Sequence, residues 1–269
     1  MISFPNAKIN LGLYITGKRT DGFHTIETVM LPCGPSDILE FVESDHDQLD
    51  TTGLETGAGS TDNLVMRTLD LLRLNFDIPP LHVHLHKSIP TGAGLGGGSS
   101  DAAFMLKTLN DHFSLGLNTE KLELYAARLG SDCTFFISNR PALATGRGEI
   151  LTPVQTGSNN LHIVLLNPGL HVSTKEAYAG VVPAPPGEDI IATLSRPVTD
   201  WKNRLENQFE KTVFIIHPQI ATLKKLLYAA GAAYASMSGS GSSVFGLFPG
   251  VPVLDNLPGE MIIYSGELL

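Results

Sequence analysis

The stretch PTGAGLGGGSSDAAF, Pro90 to Phe104, puts five glycines into the seven residues from Gly92 to Gly98. Glycine loses more backbone freedom on folding than any other residue, so a cluster of it is costly and needs a reason. Its flanks are well defined. Before it, LHVHLH alternates, with Leu81, Val83 and Leu85 on one face, as a half-buried strand does. After it, SSDAAFMLKTLNDHF repeats Met105, Leu109 and Phe113 every four residues beside Ala102 and Leu106, as a helix does. Ser99, Ser100 and Asp101 suit the start of that helix. A flexible linker has no place between an apolar strand and a well-capped helix, so the chain must fold as strand, glycine loop and helix.

Three phosphate-binding designs use such loops, and none fits. Walker A needs a lysine directly after its second glycine; in that spacing the second glycine is Gly97, and Gly98 stands where the lysine belongs. Gly92, Gly94 and Gly97 formally satisfy G-x-G-x-x-G, but no second strand ending in an acidic residue follows about 20 positions on. The protein-kinase loop comes with H-R-D and D-F-G motifs, and neither is in the chain. What remains is a strand, Pro90, the loop, and a helix opening at paired serines. A helix start offers unpaired N–H groups and the positive end of the helix dipole. Glycines let successive N–H groups turn toward one anion, and the serine hydroxyls reach a phosphate or Mg²⁺. The reading is a backbone cradle for a triphosphate.

The rest of the chain supplies a body for this loop. Of 269 residues, 42% are hydrophobic and 17% charged, enough apolar material for a sizeable core. The net charge of −9 argues against a nucleic-acid binder, which would carry a basic field. The start MISFPNAKINLGL has no basic segment followed by a long apolar core, so no signal peptide is expected. No apolar run approaches the roughly 18 residues of a membrane span. Cys33 and Cys133 fit no metal-ligand spacing and read as reduced thiols of a cytoplasmic protein.

KINLGLYITG and DILEF read as strands, and Asp47 to Thr61 as a polar, exposed connection. DNLVMRTLDLLRLNF reads as a helix capped by Asp62, with Leu64, Thr68, Leu71 and Leu72 near one face. NTEKLELYAARLG reads as another, from Asn118 to a stop at Gly130. Beyond residue 153 the character changes: LHIVLLNPG is a buried-type strand, HPQIATLKKLLYAAG a helix ended by Gly231, and MIIYS a late strand. Strands and helices mix without regular βαβ alternation, which predicts two α+β domains, 1–153 and 154–269.

PTGAGLGGGSSDAA resembles the ATP-binding motif of the GHMP kinases, the family of galactokinase and of homoserine, mevalonate and phosphomevalonate kinases. Two more stretches agree in family order: PNAKINLGLYITGKRTDGFHTIETVM near the N-terminus and SMSGSGSSVFGLF near the C-terminus. The doubled form GLGGGSSDAA and the DGFH segment resemble the branch that phosphorylates a cytidine diphosphate ester of methylerythritol in non-mevalonate isoprenoid synthesis. The fold so implied joins a ribosomal protein S5 domain 2-like N-terminal domain to a ferredoxin-like C-terminal domain. The cofactors implied are ATP and Mg²⁺, the partner a small molecule, with neither nucleic acid nor membrane, and the state a monomer or homodimer. A homoserine- or mevalonate-type kinase, or a nucleotide-binding relative without catalysis, are the alternatives.

The resemblance also assigns residues. Lys8 matches the active-site lysine, which would stabilise the deprotonating hydroxyl and the transferring phosphoryl group. Asp132, in LGSDCTFF, matches the base that orients that hydroxyl; taken alone it could as well cap the next helix. Pro90, Thr91, Gly92, Ala93, Gly94, Leu95, Gly96, Gly97, Gly98, Ser99 and Ser100 would hold the triphosphate, with Ser100 also toward the metal. Asn10 shares a strand face with Lys8 and is assigned to substrate. Phe23 would stack on cytosine, where relatives often carry Tyr, and His24 would hydrogen-bond its polar edge. Tyr178 is a candidate for the opposing aromatic wall. Gly239, Ser240 and Gly241 would close over the phosphates or the substrate. Asn63 and Leu64 are candidates for the adenine pocket. His82, His84 and His86 share one strand face, as zinc ligands can, but the polar outer face of a half-buried strand explains them without a metal.

Overall fold

A computed structural model describes residues 1–55, 63–157 and 160–268. The strands are β1 (Ile2–Ser3), β2 (Asn6–Lys18), β3 (His24–Ser36), β4 (Ile38–Glu43), β5 (Gln48–Gly53), β6 (Leu81–Lys87), β7 (Ala142–Thr145), β8 (Ile150–Pro153), β9 (His162–Leu166), β10 (Tyr234–Met237), β11 (Val244–Phe248) and β12 (Ile262–Glu267). The helices are α1 (Leu64–Arg73), α2 (Gly97–His112), α3 (Thr119–Leu129), α4 (Cys133–Ser138), α5 (Thr174–Tyr178), α6 (Ile190–Leu194), α7 (Glu210–Ile216) and α8 (Pro218–Ala229). Among the described residues, no helix is long and apolar enough to cross a membrane.

Packing divides the chain into two compact units. One holds Met1–Ala7, Pro35–Thr91 and Gly96–Arg140; the other holds Lys8–Gly34, Gly92–Leu95 and Pro141–Leu269. The first unit has one sheet, in the order β1-β4-β6-β5, antiparallel except for the parallel β5/β6 pair. Leu81, Val83 and Leu85 of β6 are buried with Leu39 and Phe41 of β4. Helix α1 buries Val65, Thr68, Leu69 and Leu72, and α2 buries Ala102, Met105, Leu106 and Leu109. Asn118 caps α3 by accepting from the Lys121 N–H, and Gly130 ends it.

The second unit has two sheets, β2-β3-β7-β8 and β10-β11-β9-β12. The latter is antiparallel throughout. Counted among its own four strands its order is 2-3-1-4, the ferredoxin-like order. Ile220, Leu223 and Leu227 of α8 and Val213 of α7 join Val164, Leu166, Ala235 and Val244 in one core.

Four local expectations are corrected. The connection from Asp47 to Thr61 contains β5: its QLDTTG is an edge strand held by backbone pairing to β6, and its mostly exposed polar side chains hide the strand period. Residues 56–61 of that connection, and the expected cap Asp62, lie outside the described residues; Asn63 caps α1, accepting from the Val65 N–H at 2.9 Å. The buried face of α1 is led by Val65 and Leu69 rather than by Leu64 and Leu71. Helix α2 begins at Gly97, two residues before the serines, because Gly96 supplies the left-handed residue that turns the chain into it. Strand β3 has no counterpart in the sequence pattern: Thr28–Gly34 is buried on both faces, so no alternation marks it.

Candidate active site

The glycine loop is built as a cradle. Gly92, Gly94 and Gly96 have φ of +66°, +78° and +72°, whereas Ala93 and Leu95 between them do not enter the left-handed region. Alternation of this kind turns successive N–H groups to one side, the concave arrangement that binds anions. Three of the loop's carbonyls accept from protein donors. Ser243 N–H donates to Ala93 O at 3.1 Å, Ser238 Oγ to Gly94 O at 2.8 Å, and Lys8 N–H to Leu95 O at 2.9 Å. Gly94 lies so close to the β10–β11 turn that a Cβ there would sit 1.9 Å from the Ser238 carbonyl oxygen. The turn is itself pinned: Asn207 Nδ2, buried, donates to Met237 O and Gly239 O, both at 2.8 Å. Gly239 and Gly241 there have φ of +55° and +92°. The structure thus joins the second and third motifs, through Ser238, Ser243 and Asn207, which sequence reasoning passed over.

The start of α2 fits an anionic ligand. Its cap, Gly96, offers no side-chain hydrogen bond to the first-turn N–H groups. Ser100 Oγ is buried and has no hydrogen-bond partner among the described residues, a state that costs about 1–3 kcal/mol unless a ligand group meets it. Gly98 is exposed and open: an added Cβ would meet only Leu64 Cδ1, at 4.0 Å. Leu64, with Asn63 at the α1 cap, therefore stands beside the helix start, whereas Thr91 and Gly92 are exposed at the other end of the loop.

Lys8 is 4% exposed on β2. Its Nζ donates to Asn10 Oδ1 at 2.7 Å, as two residues on one strand face allow. Asn10 Nδ2 donates in turn to Thr28 Oγ1 at 3.2 Å, and the Thr28 hydroxyl donates to Gly12 O. Because the hydroxyl's proton is committed to Gly12, it can only accept from Asn10. That leaves the amide oxygen of Asn10 facing Lys8. Thr28, fully buried on β3, thereby fixes the Asn10 amide, a contact that its place in the N-terminal motif does not announce.

Asp132 occupies the N-cap position of α4 but makes no capping hydrogen bond, and its backbone is already helical (φ −74°, ψ −18°). The capping explanation for this aspartate therefore fails. The next residue, Cys133, is buried; burial pushes its thiol up to about 11, against a hydrogen bond from Ser99 at the start of α2. Burial also raises Cys33, with Lys8 opposing, so neither thiol is a nucleophile near neutral pH.

His24 and Tyr178 come together. Their rings stack with centroids 4.7 Å apart and planes at 23°, and Tyr178 meets Phe209 edge-on at 4.7 Å. Phe23 is 55% exposed, with the Arg147 guanidinium 5.1 Å from its ring centroid. Tyr178, the candidate for the wall opposite Phe23, thus stacks on His24, and Phe23 itself is open. His82, His84 and His86 bond to strand neighbours: His82 to Asp50 at 2.7 Å, His84 to Glu40 at 3.1 Å, and His84 and His86 to Thr52 at 2.9 and 3.0 Å. Among the described residues, no group of three or more His, Cys, Asp or Glu side chains is arranged to hold a metal.

A family profile described as the GHMP kinases N terminal domain matches residues 63–140, and that of the GHMP kinases C terminal matches residues 191–256. A 4-diphosphocytidyl-2-C-methyl-D-erythritol kinase of Bacteroides thetaiotaomicron is 51% identical over 252 residues, covering 92% of each chain. The chain belongs to the GHMP kinases, among the 4-diphosphocytidyl-2-C-methyl-D-erythritol kinases. The enzyme of that name from Parabacteroides distasonis is 50% identical over 248 residues, again covering 92% of each chain. A crystal structure of 4-(cytidine 5'-diphospho)-2C-methyl-D-erythritol kinase has a TM-score of 0.78 at 32% identity, covering 93% of this GHMP kinase and 91% of that chain. The homoserine kinase from Cytophaga hutchinsonii has a TM-score of 0.63 at 17% identity, covering 91% of this chain and 86% of that one, a likeness of fold alone.

Proposed function

We propose that this kinase transfers the γ-phosphoryl group of ATP to the 2-hydroxyl of 4-diphosphocytidyl-2-C-methyl-D-erythritol, in the cytoplasm. Identity of about half over nine-tenths of the chain with enzymes of that name carries the choice of acceptor. The pinned carbonyls and alternating glycines of residues 92–96 support ATP as donor. The matched N- and C-terminal segments fall on either side of residue 153, which supports family segments within residues 1–153 and 154–269, while Lys8–Gly34 and strands β7 and β8 pack in the second compact unit.

Phosphoryl transfer asks little covalent chemistry of a protein beyond alignment and charge stabilisation. The Gly92–Ser99 backbone would bind the triphosphate. Asp132 would take the proton of the acceptor hydroxyl as its oxygen attacks phosphorus and the bond to ADP breaks. Lys8, held by Asn10, would stabilise the charge on the attacking oxygen and the transferring group. Ser100 Oγ is the side chain that would hold Mg²⁺, which would supply charge neutralisation to the transferring phosphates. His24, backed by Tyr178, would read the polar edge of cytosine, and Phe23 would lie against its face.

Two substitutions test the assigned roles. His24→Ala is expected to raise KM for the cytidine substrate about tenfold, with kcat changed less than about twofold, because it removes a binding contact far from the reacting atoms. An unchanged KM would remove His24 from base recognition. Thr28→Val strips Asn10 Nδ2 of its acceptor, so kcat should fall about tenfold with KM for ATP nearly constant; an unaltered kcat would mean Asn10 holds Lys8 without help.

The whole reading is tested by ADP release in parallel assays with Mg·ATP and three acceptors: the cytidine substrate, homoserine and mevalonate. Turnover is expected with the first alone. Turnover with either other acceptor and not the first would assign the chain a different substrate, and none with any would leave a nucleotide-binding relative without catalysis.

A further inference from the structure

Within the first unit, the end of β6 and the start of α2 meet at three buried ionisable side chains. Lys87, the last residue of β6, is 3% exposed. Its Nζ donates to Asp37 Oδ2 and, at 2.6 Å, to Asp101 Oδ2. Asp37, fully buried just before β4, accepts through its other oxygen from the N–H groups of Ser88 and Ile89, the latter at 2.8 Å. Asp101 lies in α2, buried, four residues after its first residue. Gly97 packs on the same spot: a Cβ there would come within 2.9 Å of Ile89 Cγ2 and 3.5 Å of Lys87 Nζ. The chain thus enters the glycine loop through residues held by Asp37 and leaves it through residues held by Lys87.

Burial pulls the Lys87 ammonium down, but the carboxylates of Asp101 and Asp37 outweigh that and hold it above the usual lysine range. Burial also pushes the Asp101 carboxyl up to about 7, so the group is a fully charged clamp only above that pH. Apolar side chains of equal volume would serve stability as well or better, since burying ions is costly. What they would not supply is a fixed, directional spacing between two chain segments.

We propose that Asp37, Lys87 and Asp101 are positioning residues for the triphosphate loop, an ion triad that holds its entrance at 87–89 and its exit at 97–101 in register. This rests on the triphosphate reading above. A loop anchored at both ends presents its N–H groups to one point, and loss of either anchor spreads them.

The test compares wild type with Asp101→Asn, which keeps the shape but removes the charge, and with the triple variant Asp37→Asn/Lys87→Met/Asp101→Leu, which removes all three charges and keeps an acceptor for the Ser88 and Ile89 N–H groups. Calorimetry with AMPPNP and Mg²⁺ gives nucleotide Kd, kinetics give KM for the acceptor, and thermal melts report folding. Both variants should raise Kd about tenfold while acceptor KM stays within about twofold. A purely structural triad would be rescued by the triple variant. A folded triple variant that binds the nucleotide as tightly as wild type would overturn the proposal, and it carries the test if Asp101→Asn fails to fold. Wild type that does not bind AMPPNP would overturn the triphosphate reading itself, an outcome seen without any variant.

Discussion

Asp132→Asn should lower kcat by about three orders of magnitude, the scale of losing a general base, while melting temperature and KM for ATP stay near wild type. The substitution is clean because of where the residue sits. At an ordinary N-cap, changing the side chain would disturb the helix it caps. Asp132 has a helical backbone and no capping hydrogen bond, so its carboxylate does not serve α4 as a cap. Asn keeps its size and removes the charge and the proton-accepting oxygen. A kcat within about tenfold of wild type would take the proton elsewhere and leave Asp132 an orienting group at most.

The second large effect concerns the loop's backbone. Gly94→Ala would put a methyl 1.9 Å from the Ser238 carbonyl oxygen, at a φ of +78° that alanine resists. Either the loop or the β10–β11 turn must move by more than an ångström, and the donors on Ala93, Gly94 and Leu95 carbonyls are lost together. The cost is about 3 kcal/mol or more, which lowers the melting temperature by about 6–12 °C. KM for ATP should rise at least about tenfold. Gly98→Ala is the contrast: its Cβ points into open space inside the first turn of α2, so stability should hold or rise. If it nonetheless weakens nucleotide binding, the open side of the helix start is the side the phosphates approach. A Gly94→Ala protein with wild-type stability and KM would mean that the close packing on Ser238 is not needed to shape the loop.

Much of this was legible in residue order. The alternation of LHVHLH and the four-residue repeat of Met105 and Leu109 placed a strand and a helix on either side of the glycines, and both elements are there. Asn118 and Gly130 bracket α3 as their chemistry requires. Strand β3 was hidden because a strand buried on both faces carries no period, and β5 because an exposed edge strand needs only its backbone. The site divides in the same way. Lys8, Asp132 and the glycines lie in motifs. Thr28, Ser238 and Asp101 lie in the same motifs without standing out, and Asn207, Asp37 and Lys87 lie outside them, because each acts through a partner far away in sequence: Thr28 through Asn10, Asn207 through Gly239, Lys87 through Asp37. Such partnerships have no local pattern and are visible only once the chain is folded.

The central claim is that a phosphoryl group moves from ATP to one hydroxyl of a cytidine-linked acceptor. Phosphorus NMR of the purified protein with Mg·ATP and 4-diphosphocytidyl-2-C-methyl-D-erythritol tests it most directly. The account predicts ADP and a new phosphomonoester in equal amounts, with the ester coupled to the 2-position and the diphosphate bridge intact. ATP consumed to free phosphate without a new ester, or a phosphate on another hydroxyl, would contradict it.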